Sequence, residues 1–72
     1  MNRRGLDTLV MSREGAEAAW SAFAADHPDI AFCIRKSLDT QGGRFVTAEL
    51  PLSDSERVRE FFRGAARKAM LS

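Results

Sequence analysis

Two runs of alternating apolar residues meet at Gln41-Gly42-Gly43, and this junction constrains the chain more than any other feature. Before it, Ile30, Phe32, Ile34 and Leu38 fall on even positions; after it, so do Val46, Ala48, Leu50 and Leu52. Side chains on a strand alternate with a period of two, so each set reads as one face of a strand. A two-residue loop sets Leu38 opposite Thr47 and Ile34 opposite Pro51, which splits the apolar sets between faces. The three-residue loop Gln41-Gly42-Gly43 instead sets Leu38 opposite Val46, Ile34 opposite Leu50 and Phe32 opposite Leu52. It also brings Arg35 to Glu49 and Ser37 to Thr47, both favourable cross-strand pairs. Such a loop wants a left-handed residue at its end, and Gly43 supplies one. The expectation is a hairpin of strands over residues 30–38 and 44–52.

The rest of the chain is read around that hairpin. Residues 6–11, with Thr8, Leu9, Val10 and Met11, read as a first strand whose buried face is open between two sets. Ser12 is a good N-cap, and Ala16, Ala19, Trp20 and Phe23 form a helical stripe behind it. Pro28 is expected to end that helix. Ser53 and Glu56 have capping-box spacing, and Val58, Phe61, Phe62, Ala65 and Ala69 trace one face of a second helix. Gly64 marks either close approach to the alanines of the first helix, Ala18, Ala22 and Ala25, or a position under no selection. The predicted core centres on Trp20, Phe23, Phe32, Ile34, Leu50, Phe61 and Phe62.

A helical crossover leaves the first two strands parallel, and the hairpin makes the third antiparallel. The economical solution is an α+β two-layer sandwich in the order β-α-β-β-α. Its three-stranded sheet has the order 1-3-2, with both helices on one face. This element order resembles a ferredoxin-like plait that lacks its final strand. The resemblance implies no activity, because that architecture hosts many functions. Residues 1–5 read as a flexible basic start and 6–72 as one domain.

Seventy-two residues limit what such a chain can do. A domain this small buries only about 60% of its unfolded surface, so partners or self-association are natural reinforcement. One cysteine makes no internal disulfide and fits a reducing cytoplasm. No apolar run approaches a membrane span or a signal-peptide core. No metal-ligand cluster or cofactor motif is present. The net charge of +1 hides an asymmetry. Residues 12–29 set Arg13 against Glu14, Glu17, Asp26 and Asp29, whereas residues 57–72 set Arg57, Arg59, Arg63, Arg67 and Lys68 against Glu60.

Individual motifs carry little chemistry. His27-Pro28-Asp29 resembles the His-Pro-Asp tripeptide of J-domain co-chaperones, which lies between two helices, the first of them basic. Here the preceding helix is acidic and the following residues read as a strand, so a helix stop explains the tripeptide better. His27, the sole histidine, is expected to shield Trp20 and meet a terminal carbonyl. Cys33 has no second cysteine or histidine to activate it. Gly42-Gly43 stands between strands, where glycines serve a turn rather than a phosphate.

The function expected from these features is a small non-enzymatic protein-interaction module, a homodimer or a regulator or inhibitor of another protein. It would act through the first strand (Thr8, Leu9, Val10, Met11) or through a sheet face carrying Cys33, Arg35 and Phe45. The alternative is an RNA- or DNA-binding protein using Arg3 and Arg4 with Arg59, Arg63, Arg67 and Lys68 of the basic helix.

Overall fold

Ile30, Ile34 and Leu38 are spaced by four, and the chain uses that spacing as a helix. The structure, a computed structural model, describes residues 5–71, with side-chain surroundings through Lys68. Its elements are β1 (Leu6–Ser12), α1 (Arg13–Phe23), α2 (Pro28–Thr40), β2 (Phe45–Pro51) and α3 (Leu52–Leu71). The class is α+β, but the order is β-α-α-β-α, with a two-stranded antiparallel sheet. The predicted three-stranded sheet of order 1-3-2 and its ferredoxin-like architecture are therefore wrong. The error lies in residues 30–38. In α2, Ile30, Ile34 and Leu38 are buried together with Ala31 and Ser37 on one face. Phe32 turns outward and is 68% exposed, so it leaves the predicted core. Neither Ile34 opposite Leu50 nor Arg35 opposite Glu49 exists as a strand pair, because only β1 and β2 pair.

Local chemistry explains each boundary. Ser12 accepts a bond from the Gly15 amide at 2.9 Å and caps α1, as expected. The helix stops at Phe23, before the proline. Pro28 opens α2 rather than closing α1, where its missing N–H and fixed φ cost nothing. Asp29 sits in the same first turn, near the positive end of the helix. The capping box at Ser53 does not form: α3 begins at Leu52, so Ser53 already lies inside its first turn. Gly43 is left-handed, with φ of 94°, but it ends the α2–β2 loop rather than a hairpin.

The β1–β2 register runs from Leu6↔Pro51 to Ser12↔Phe45. Leu9, Met11, Val46, Ala48 and Leu50 face inward and are buried. Leu6, Thr8, Val10 and Ser12 face outward with Phe45, Thr47, Glu49 and Pro51. The inward set joins Ala16, Ala19, Ile30, Ile34, Leu38 and Val58 in one core cluster. Trp20, Phe23, Cys33, Phe61 and Phe62 pack around it partly buried, a more peripheral place than predicted for four of them. All three helices thus serve one side of the sheet.

Two details fix the helices. Close approach occurs at Gly15, not at Gly64: a Cβ at Gly15 would meet the Phe62 ring at 3.2 Å, while one at Gly64 meets nothing within 4 Å. From Arg63 to Lys68 every side chain of α3 is exposed, Ala65 included, so the apolar stripe acts only as far as Phe62. The side chain of Ala69 lies outside the described residues.

Asp7 ties the first strand to α3. Its carboxylate accepts from Arg59 at 2.6 Å, and the buried Ser55 hydroxyl lies 3.0 Å away. The Arg59 bond first, and then the Ser55 bond, hold the Asp7 carboxyl below its usual value of 3.8. A group whose folded pKa is depressed stabilises the fold above its unfolded pKa and loses that contribution as pH falls through the folded value. Melting temperature should therefore drop on acidification below about pH 4 more steeply in the wild type than in Asp7→Asn. Parallel curves for the two proteins in that range would contradict the pairing.

Candidate interaction surface at the free edge of β1

The hydrogen-bond parity of the sheet decides which backbone groups look outward. Arg13 N–H donates to Arg44 C=O at 2.6 Å, and Leu52 N–H donates to Gly5 C=O at 2.7 Å. These bonds bracket the ladder at both ends. In an antiparallel pair, bonded and non-bonded residue pairs alternate. Asp7↔Leu50, Leu9↔Ala48 and Met11↔Val46 are then the bonded pairs, consistent with the register. Leu6, Thr8 and Val10 on β1, and Phe45, Thr47 and Glu49 on β2, direct their N–H and C=O groups away from the partner strand, as does the C=O of Pro51.

The two edges differ in what they meet. On the β2 edge, the Gln41 side-chain amide donates to Thr47 C=O at 2.7 Å and accepts from Thr47 N–H at 2.8 Å. It occupies the place a further strand would take. Pro51, on the same edge, has no N–H to offer. On the β1 edge, the Thr8 amide meets only the carboxylate of its neighbour Asp7, and no strand or clasping side chain among the described residues covers the outward groups of Thr8 and Val10. An open edge of this kind templates pairing with another chain.

Gln41 is itself held in place. Its backbone N–H donates to Ser37 C=O at 3.0 Å, and its C=O accepts from the Arg13 guanidinium. Arg13 also donates to Gly43 C=O at 2.8 Å and Leu38 C=O at 3.2 Å. One side chain from the start of α1 thus secures the end of α2 and the loop that carries Gln41. Neither role was legible in the sequence, where Gln41 read as a turn residue and Arg13 as one charge of a helix, because a side-chain amide that mimics a strand has no spacing signature. Replacing Gln41 by Ala should accelerate exchange of the Thr47 amide to the rate of an open edge, with the fold retained. Unchanged Thr47 exchange would remove Gln41 from this role.

The outer sheet face adds apolar area beside the open edge. Leu6, Val10 and Phe45 are 43%, 64% and 64% exposed, and Leu52 at the start of α3 is 52% exposed. Of the predicted interaction residues, Thr8, Val10 and Phe45 come together on this face, whereas Leu9 and Met11 point into the core. Cys33 and Arg35 do not belong to a sheet face at all. Both lie on α2, Cys33 half-buried against the core and Arg35 over the Trp20 ring at 5.0 Å, paired with Asp39 at 3.1 Å. Comparison with protein-family models, curated proteins and solved structures returned no match. The reading of this surface rests on its geometry.

The other candidates are less well provided. Arg59 is paired with Asp7, and Arg63 is paired with Glu60 on its own helix. Arg67 and Lys68 lie on the exposed end of α3, and Arg3 and Arg4 lie outside the described residues. His27 packs against Phe23, with ring centroids 5.7 Å apart, rather than shielding Trp20. Its tripeptide stands between two helices after all, since α2 follows it, yet α1 carries Glu14 and Glu17 against Arg13 alone. No group of three potential metal ligands occurs among the described residues. No helix among them is long and apolar enough to cross a membrane.

Proposed function

We propose that this chain is a small non-enzymatic interaction module of the cytoplasm that accepts another polypeptide as an added strand along β1. Main-chain hydrogen bonds to Thr8 and Val10 supply the affinity, and the exposed face formed by Leu6, Val10 and Phe45 supplies apolar footing. The observation that carries this reading is the asymmetry of the edges: Thr47 is clasped by Gln41 on both its N–H and C=O, whereas Thr8 and Val10 face no strand or clasping side chain among the described residues and the Thr8 amide meets only the adjacent Asp7 carboxylate. The lone cysteine supports the reducing compartment.

The test is capture from the source cell, with a differently tagged second copy of the chain present. Val10→Pro removes one outward donor and none of the β1–β2 bonds, so it blocks the edge at the least risk to the sheet. Phe45→Arg alters the face and leaves the edge intact. A protein captured in stoichiometric amount by the wild type and lost with Val10→Pro supports the reading. Capture that is indifferent to both variants contradicts it. So does salt-sensitive retention of nucleic acid as the sole result, which would point to the basic helix instead.

A further inference from the structure

We infer that the strand added to β1 is β1 of a second copy, paired antiparallel about a two-fold axis at Thr8. This rests on the edge-pairing reading above and names its partner. Backbone parity restricts the choice of register. The outward groups belong to even-numbered residues, so an axis of this kind must pass through a residue rather than between two. Each possible centre can then be judged.

An axis at Asp7 sets two like charges directly opposite each other, which is unfavourable. An axis at Leu9 pairs Leu6 with Ser12, whose carbonyl begins the bonding of α1 as its N-cap and is not available to a strand. An axis at Val10 leaves Leu6 overhanging and again calls on Ser12. The axis at Thr8 calls only on Leu6, Thr8 and Val10, and the Thr8 amide gives up no more than its contact with the adjacent Asp7 carboxylate. Leu6 pairs with the second copy's Val10, Thr8 with its own equivalent, and Val10 with the second copy's Leu6. The two exposed apolar residues of β1 thereby cover each other twice on the outer face, and the threonine pair is a favourable cross-strand contact. Asp7, the one charge on the strand, falls opposite Leu9 and keeps its Arg59 partner within its own chain.

The closed edge explains why such pairing ends at two copies. The resulting sheet has the order β2-β1-β1-β2, and both of its outer edges carry the Gln41 clasp at Thr47. An isologous contact that uses the one open edge gives a closed dimer, whereas two open edges would permit a filament.

The test combines mass in solution with a register-specific cross-link. Sedimentation of the wild type over roughly three decades of concentration should show a monomer passing to a dimer and no larger species. Val10→Pro should remain monomeric throughout. Val10→Lys keeps the backbone unchanged and should raise the dissociation constant at least about tenfold by placing a charge against Leu6. In a Cys33→Ala background, Thr8→Cys should oxidise to a covalent dimer, since residues facing each other across a bonded pair lie within disulfide reach. Val10→Cys should not, because its neighbour is Leu6. A wild type that stays monomeric overturns the self-pairing while leaving open a different protein on the same edge, which the capture experiment reports separately. A dimer that survives both Val10 variants, or cross-linking of Val10→Cys as readily as Thr8→Cys, overturns the edge or the register.

Discussion

Ile34→Ala should come close to unfolding this chain, while Phe32→Ala, two residues away, should hardly be felt. Ile34 is fully buried at the centre of the cluster that joins α2 to the sheet. Truncating it removes buried methylene groups and leaves a cavity, at a cost of about 2–5 kcal/mol. A domain of this length has a total stability of roughly 4–10 kcal/mol, so that loss takes a large share of it. Phe32 is on the opposite face of α2 and mostly exposed, so its truncation should change stability by about 0.5 kcal/mol or less. Urea midpoints of the two variants report the difference directly. The pair also separates helix from strand, because on a strand both residues share one face and both truncations would be costly. Comparable losses in the two variants would mean that residues 30–38 are not helical.

The second large effect is expected at Arg13. Its guanidinium donates to Leu38, Gln41 and Gly43 carbonyls, and the first of these belongs to the last turn of α2, where a cation also complements the helix dipole. Arg13→Ala leaves those carbonyls without their donors and should cost about 2–3 kcal/mol, the upper end for bonds to a charged group. Arg13→Lys should recover little, since an ammonium cannot reproduce the fork that reaches three acceptors. Because the same side chain holds the loop bearing Gln41, the variant should also loosen the clasp on Thr47. The readouts are thermal stability and exchange at the Thr47 amide. A stability equal to wild type for Arg13→Ala would show that water replaces these bonds without loss.

The sequence was legible where its spacings had one meaning. Val46, Ala48 and Leu50, separated by Thr47 and Glu49, admit a strand and nothing else, and they form β2 with the expected inward face. Ser12 capped the helix it was expected to cap. Ile30, Ile34 and Leu38 had two meanings, since a spacing of four satisfies both a strand face and a helix stripe. Lys36 and Phe32 were the arbiters. On a strand Lys36 shares the apolar face, a poor fit; on a helix both turn to solvent, and the cost is one exposed phenylalanine. Pro28 followed by Asp29 is as good a helix start as a helix stop, and reading it as a stop removed α2. The sheet order followed from that choice. With a strand over residues 30–38, β1 was an edge of three strands; without it, β1 pairs directly with β2 and is an edge of two. Its freedom was anticipated, although from a different topology. The Gln41 clasp and the Arg13 anchor were not, because both depend on loop geometry that only the packed helices create.

The asymmetry of the two edges is most directly tested by amide exchange measured residue by residue at low and high protein concentration. In dilute solution Leu9, Met11 and Ala48 should be protected by the ladder and Thr47 by Gln41, while Val10 exchanges nearly as fast as an unstructured amide and Thr8 is slowed only by its contact with the Asp7 carboxylate. As concentration rises, Thr8 and Val10 should gain protection together, and Thr47 should stay as it was. Protection of Thr8 and Val10 at every dilution, or exchange at Thr47 as fast as theirs, would contradict a sheet with one open edge and one closed.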